Sequence, residues 1–185
     1  MKNSFAQFVV FINVFLLLAA NSYALDGKRK GFLLGLGAGM GSNSYHSSYL
    51  SYKSDSYRKT AKLTNFKIGF APNNNLQIFW SSRVAWFKPE DADKTWTSGI
   101  GGLGISYYLN ESGPSTYFTG TLGLSSWAEF GGTDSYTGSG FAMGAGYEFS
   151  PHLSVEGVWS KGSPRKDDFE INTNVIRITI NALWY

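Results

Sequence analysis

From Phe32 onward, apolar residues recur at every second position. Phe32, Leu34, Leu36, Ala38 and Met40 lie on one side of a first segment, with Gly35, Gly37 and Gly39 on the other. A second segment sets Thr64, Phe66, Ile68 and Phe70 against Asn65, Lys67 and Gly69. A third sets Ile78, Trp80, Val84 and Trp86 against Gln77, Ser81 and Arg83, and a fourth sets Leu103, Ile105 and Tyr107 against Gly102, Gly104 and Ser106. The fifth places Phe118, Leu122 and Leu124 opposite Thr119, Thr121 and Ser125. The sixth places Phe141, Met143, Ala145, Tyr147 and Phe149 opposite Gly144, Gly146 and Glu148. Leu153, Val155 and Trp159 oppose Ser154 and Glu156 in the seventh. In the last, Ile176, Ile178, Ile180, Ala182 and Trp184 oppose Arg177, Thr179 and Asn181. A period of two is that of an extended strand, whose successive side chains point to opposite faces. Eight strands are therefore expected. Two positions sit out of step: Ile100 across Gly101-Gly102, and Tyr185, which shares a phase with Arg177 rather than with Trp184.

Connections between these segments alternate in length. Short ones, Pro72–Asn75, Asn110–Ser115 and Ser150–His152, are rich in turn formers. Longer ones run from about Ser42 to Ala61, Lys88 to Lys94, Glu129 to Tyr136 and Lys161 to Asn172. Short turns on one side and long loops on the other are the pattern of an outer-membrane barrel with its turns in the periplasm. The expectation is an all-β fold, an eight-stranded antiparallel up-and-down transmembrane β-barrel.

Charge decides which face meets lipid. The apolar faces carry no Asp, Glu, Lys or Arg, whereas the opposite faces hold Lys67, Arg83, Glu148, Glu156 and Arg177 among Gly, Ser, Thr and Asn. A Lys or Arg facing lipid at mid-membrane costs about 2–4 kcal/mol. The apolar faces should point outward, leaving glycine and polar groups in a lumen too narrow for bulky aromatics. Trp86, Phe141 and Trp159 fall near the extracellular strand ends; Phe70, Tyr107, Tyr147, Phe149 and Trp184 fall near the periplasmic ends. These make the two interfacial aromatic girdles that such barrels carry.

The first residues read differently. Lys2 precedes an apolar run from Phe8 to Ala20, and Ser22-Tyr23-Ala24 matches a small-x-small cleavage site. The run is shorter than the roughly 20 residues a spanning helix needs, so residues 1–24 read as a cleaved secretory signal and 25–185 as the barrel. No other apolar run is long enough for a transmembrane helix. Aromatics make up 17% of the 185 residues and glycines number 22, a bias that suits closed antiparallel sheet. The absence of cysteine excludes disulfides and thiolate metal sites. A net charge of +3 without a basic block gives no reason to expect nucleic acid.

In Gly138-Ser-Gly-Phe-Ala-Met-Gly-Ala-Gly-Tyr-Glu-Phe-Ser-Pro-His-Leu-Ser-Val-Glu156, a glycine-rich strand ends in Gly-Tyr-x-Phe, a Pro turn follows, and the next strand carries an acidic residue. This stretch, the glycine-rich first segment and the aromatic-ended last one resemble the small outer-membrane barrel superfamily that includes the OmpA transmembrane domain and OmpX-like proteins. The resemblance implies residence in the outer membrane of a Gram-negative bacterium after Sec-type export. It also implies contact with outer-membrane lipid and lipopolysaccharide, and insertion by the barrel-assembly machinery, which reads the aromatic-ended strand. That family's peptidoglycan-binding domain does not follow the eighth segment here, so cell-wall tethering is not expected.

Lys67, Arg83, Glu148, Glu156 and Arg177 are expected to form an interior ion-pair network, since buried charges persist when paired. A narrow channel lined by them is an alternative. A lipid A-modifying enzyme is another, and its catalytic candidates are thin. Serine hydrolysis wants a base beside the nucleophile, and the chain has two histidines. His152 falls in a turn, and His46 lies in the first loop among Ser44, Ser47 and Ser48; both read as solvated. Lipid A deacylases carry His-x-Ser-Asn near the seventh strand, whereas Val158-Trp-Ser-Lys-Gly-Ser offers Ser160 without a histidine. The palmitoyltransferase pattern needs a helix before the first strand, and there is no room for one between Leu25 and Gly31. No catalytic residue, cofactor or metal site is expected.

The first loop is the candidate contact surface. Tyr45, Tyr49, Tyr52 and Tyr57 are interleaved with serines, and Arg58, Lys59 and Lys62 follow. Tyr/Ser mixtures adapt to partners at low entropy cost, and the cations suit lipopolysaccharide phosphates. An extended β-hairpin would look the same in sequence. The expected role is non-enzymatic: a structural or surface-interaction barrel acting through its extracellular loops, its extracellular ligand unknown.

Overall fold

The computed structural model describes residues 28–49, 52–89 and 93–185. The expected secretory signal, residues 1–24, lies outside them. Nine strands follow one another: β1 (Gly31–Tyr49), β2 (Tyr52–Lys53), β3 (Tyr57–Ala71), β4 (Leu76–Phe87), β5 (Trp96–Tyr108), β6 (Ser115–Glu129), β7 (Ser135–Ser150), β8 (Leu153–Lys166) and β9 (Phe169–Trp184). Each pairs antiparallel with the next, except that β2 only extends the tip of the β1–β3 hairpin. The sheet closes on itself through β1 and β9, in register from Leu34↔Trp184 to Tyr49↔Phe169. Eight strands thus form a closed antiparallel barrel, and closure leaves no unpaired sheet edge.

The long connections are shorter than the sequence suggests. The segment from Ser42 to Ala61 is mostly ladder, with β1 and β3 paired as far as Tyr45↔Tyr57. The segment from Lys161 to Asn172 is likewise a hairpin, paired to Lys166↔Phe169. Polar side chains hid these extensions, but a strand that leaves an apolar environment keeps its backbone hydrogen bonds and only changes the residues it displays. The opposite turns are tight. Asn73 Oδ1 accepts hydrogen bonds from the Asn75 and Leu76 amides at 3.0 and 2.9 Å, an Asx turn that reverses the chain between β3 and β4.

Both out-of-step positions resolve without a break in phase. Ile100 points inward with Gly102, Gly104 and Ser106, so its strand keeps one alternation throughout. Tyr185 also turns inward, continuing the phase of Arg177, while Trp184 stays outside.

The outer wall is apolar. Leu36, Met40, Trp80, Leu103, Phe118, Leu122, Met143 and Ile178 are all exposed, and the girdle positions Phe70, Tyr107, Tyr147, Phe149 and Trp159 are exposed too. The outward run Ile176–Trp184 on β9 spans nine residues. At about 3.3 Å per residue and a strand tilt of about 40°, it rises about 20 Å along the barrel axis.

The lumen departs from expectation. It is not filled by glycine and polar groups alone. Leu33, Phe79, Tyr108, Tyr117 and Leu183 are buried at the end with short turns, and Phe87 and Trp127 near the opposite end. Bulky rings fit because glycine faces them. A Cβ built on Gly104 would overlap the Phe79 ring, and one on Gly146 would overlap Tyr117. Glycine in these strands is therefore the complement of an inward aromatic, not a sign of an empty bore.

Candidate functional site

The interior is stacked in three layers. At the end with short turns, Arg29 precedes β1 and folds under the barrel. Its Nε donates to Glu148 Oε2 at 2.9 Å and its Nη2 to Oε1 at 3.0 Å, while Nη1 donates to the carbonyls of Asn74 and Asn110 at 3.1 and 2.8 Å. Two turns and a strand are thereby tied to one side chain. The guanidinium carbon also lies 4.0 Å from the centre of the Tyr108 ring, which stacks on Tyr117 at 4.6 Å. Tyr185 closes the layer, its hydroxyl donating to Glu148 at 3.2 Å.

In the middle layer Glu156 is the hub. Lys67 Nζ donates to it at 2.6 Å, Arg83 Nη2 at 3.3 Å and the Tyr117 hydroxyl at 3.2 Å. Arg83 also donates to Ser81 and Thr121, and Asn65 donates to Asn181. Arg177, from the neighbouring strand, donates to the Ser160 hydroxyl at 3.4 Å, and its Nε and Nη1 have no acceptor among the described residues. The five charges expected to form one network are therefore divided. Lys67, Arg83 and Glu156 make one cluster, Glu148 belongs to Arg29, and Arg177 stands beside the first without a direct carboxylate contact. Arg29 was invisible to strand periodicity because it precedes the first alternating segment.

The third layer faces the long hairpins. Tyr45, Tyr57, Phe87, Trp96, Trp127, Tyr136 and Phe169 each carry the inward phase of a different strand. Tyr45 lies 4.7 Å from Trp127 and 5.7 Å from both Phe87 and Tyr57; Trp96 lies 5.9 Å from Trp127. Beneath them Ala61, Leu63, Ala85, Ile171 and Val175 are buried, sealing this layer from the charged one. Above them the mouth opens as a cavity of roughly 460 Å³.

The expected loop surface is split by the same phase. Tyr45 belongs to the sealed floor of the mouth and not to an outer patch, since its position on β1 points inward. Tyr49 and Tyr57 are about half exposed above it, Tyr52 lies on β2 opposite Tyr49, and Lys59 is half-buried. Arg58 faces the other way, donating to Ser44 Oγ at 3.2 Å on the outer side of the hairpin. Two ion pairs edge the mouth, Lys94 with Glu129 and Lys166 with Asp134. The hydrogen bond from Lys166 to Asp134 raises the ammonium above its ordinary pKa.

Two of the remaining candidates, His152 and Ser160, have structural partners. His152, read from sequence as a solvated turn residue, is partly buried. Its Nδ1 lies 2.9 Å from the Leu183 carbonyl and its own carbonyl accepts the Leu183 amide. It latches the start of β8 to the end of β9. Ser160 is buried between Arg177 and the Val175 carbonyl.

No family model and no curated protein matches the chain. Solved structures do resemble it. Neisserial surface protein A aligns over 82% of this chain and 96% of its own, at 13% identity and a TM-score of 0.52. The fold is that of a small outer-membrane barrel. Ail, the attachment invasion locus protein of Yersinia pestis, aligns over 82% of this chain and 99% of its own, at 16% identity and a TM-score of 0.47. The outer membrane protease OmpT of Escherichia coli aligns over 84% of this chain and 97% of its own, at 10% identity and a TM-score of 0.41. At these identities the likeness is one of fold.

Proposed function

We propose that this chain is an integral outer-membrane protein of a Gram-negative envelope, exported by residues 1–24. It closes its own lumen and acts at the cell surface through the hairpins around its mouth, without catalysis. The carrying observation is the interior. Glu156, Arg83 and Lys67 bridge the bore with side chains no more than 3% exposed, and apolar layers lie on both sides of them. A bore spanned by contacting ion pairs favours a plug over a conduit, since separating them would leave uncompensated charge in a medium of low dielectric. The apolar outer wall favours lipid as the surrounding solvent. Ser160, the one residue shared with the deacylase pattern, is occupied and buried, which supports a non-catalytic reading. In this arrangement the groups free to meet other molecules are those of the mouth and the hairpins, with lipopolysaccharide as the nearest neighbour.

The chain has no cysteine, so single-cysteine labelling tests the orientation cleanly. An Asp168→Cys variant should react with a membrane-impermeant maleimide on intact cells, and a Glu111→Cys variant only after the outer membrane is opened. The native protein should fractionate with membranes, run on gels with a heat-dependent shift, and give no steady single-channel current in planar bilayers. Soluble recovery, or labelling of Glu111→Cys alone, would overturn the topology; steady currents would overturn the plug.

A further inference from the structure

We propose that the extracellular mouth is a binding site for a neutral sugar ring. The inference rests on the surface orientation proposed above and names the ligand class that this orientation exposes the mouth to.

Three observations point to that chemistry. First, the mouth is a cavity with a floor. Its volume of roughly 460 Å³ lies within the range of small-molecule sites. Below it, Phe87 and Trp127 pack on Ala85 and Val175, so a ligand enters and leaves by the same opening. The site is built to hold and not to pass.

Second, no charged side chain lines the cavity among the described residues; the described charges at its edge, Lys94 with Glu129 and Lys166 with Asp134, are paired with each other. An ionic ligand would lose its hydration without gaining a counter-charge, which costs far more than burying a neutral hydroxyl that finds a hydrogen bond. The described lining therefore favours an uncharged ligand.

Third, the wall rings are mostly of the kind with polar tips. Tyr45, Tyr57 and Tyr136 carry hydroxyls, and Trp96 and Trp127 carry indole N–H groups. Serine hydroxyls from Ser47 and Ser54 stand at the same opening. A site for a purely apolar ligand wants aliphatic walls and few polar tips, because a tip that loses water without gaining a partner is a penalty. A sugar ring has flat C–H faces to lie on aromatic rings and hydroxyls around its edge to meet such tips. That match of apolar face to polar rim is what Tyr and Trp supply together.

The six tryptophans supply the test. Trp96 and Trp127 belong to the mouth, whereas Trp80, Trp86, Trp159 and Trp184 carry the outward phase of their strands. The full chain, refolded in detergent micelles and shown to be folded by its heat-dependent gel shift, would be titrated with the methyl glycosides of glucose, galactose and N-acetylglucosamine. Indole N–H resonances would be followed by NMR. At least one glycoside should move the Trp96 and Trp127 signals saturably, with a Kd of about 1–10 mM, as befits one ring stacked in an open site. The four outer signals should stay in place. Trp96→Ala, at the rim and half-buried, should weaken that Kd at least about tenfold, the loss of roughly 1.4 kcal/mol. A neutral aromatic probe without hydroxyls, naphthalene, should bind more weakly than the best glycoside. The proposal is overturned if the folded barrel shows no saturable shift with any of the three up to about 100 mM, or if naphthalene alone binds. Either result leaves the barrel reading intact, whereas absence of the gel shift would remove that reading first.

Discussion

Glu156 holds two cations at once, Lys67 Nζ at 2.6 Å and Arg83 Nη2 at 3.3 Å, one on each carboxylate oxygen. All three side chains are no more than 3% exposed. Replacing Glu156 with Gln keeps the shape but leaves two desolvated cations facing a neutral amide. Removing one partner of a buried ion pair costs about 3–5 kcal/mol. Glu156→Gln should therefore lower the urea midpoint of the gel-shift transition in lipid vesicles by that equivalent. A midpoint unchanged within error would mean that water already serves these cations.

Arg177 makes the opposite case. It is buried, donates one long hydrogen bond to Ser160, and leaves Nε and Nη1 without an acceptor among the described residues. Its charge is desolvated with little direct return. Exchanging imperfectly paired buried charge for a well-packed apolar chain is often neutral, or stabilising by about 1–4 kcal/mol. Arg177→Met should match or exceed the native protein in the same unfolding assay. A loss comparable to that of Glu156→Gln would show that Arg177 is paired in solution.

At the opposite layer, Arg29 and Glu148 meet through two parallel hydrogen bonds of 2.9 and 3.0 Å. Such bidentate geometry is the strong form of the guanidinium–carboxylate pair. A double-mutant cycle on Arg29→Ala and Glu148→Ala should return a coupling of about 1–3 kcal/mol, near the top of the range for contacting residues. The rim pair Lys166–Asp134, exposed by 48% and 66%, should return less than about 1 kcal/mol. Equal couplings at the two places would contradict the burial difference between them.

Gly146 lies under Tyr117, where a methyl group would overlap the ring. Overpacking of this kind costs about 1–3 kcal/mol. Gly146→Ala should show that loss on unfolding, and Tyr117→Leu in the same chain should recover part of it by making room. If the two losses simply add, the ring and the glycine are not in contact.

How much of this was legible beforehand follows from where each group sits. Lys67, Arg83, Glu156 and Arg177 lie within strands whose outward apolar residues, Phe66 and Ile68, Val84 and Trp86, Val155, and Ile176 and Ile178, declare the phase, so their inward direction could be read directly. The partners could not, because register between strands decides which charges meet, and Arg29 precedes every alternating segment. Tyr45, Trp96, Trp127, Tyr136 and Phe169 lie where outward residues turn polar as the strand leaves the apolar band. There the alternation loses its contrast and looks like loop. Carrying each strand's phase a few residues further would have put all five rings on one inner face. Phe79 and Tyr117 were missed for another reason: a narrow bore leaves no room for rings until the glycines opposite them are counted as space.

The outer wall offers the last test. Ile178 sits in the middle of the β9 apolar run and is 63% exposed, with Ile176 and Ile180 flanking it on the same face. Asn174 is the next outward position but one toward the hairpins, and accepts a hydrogen bond from Trp159 Nε1 at the band's upper edge. In water, an arginine at either exposed site would be tolerated. In a bilayer the two differ, because a cation at mid-depth costs about 2–4 kcal/mol while one at the interface costs about 0–1. Ile178→Arg should therefore destabilise the barrel by that larger amount in lipid vesicles, with Asn174→Arg close to native. The difference should shrink in short-chain detergent micelles, where water reaches the wall more easily. Equal tolerance at both positions in vesicles would mean that the exposed apolar wall does not face hydrocarbon.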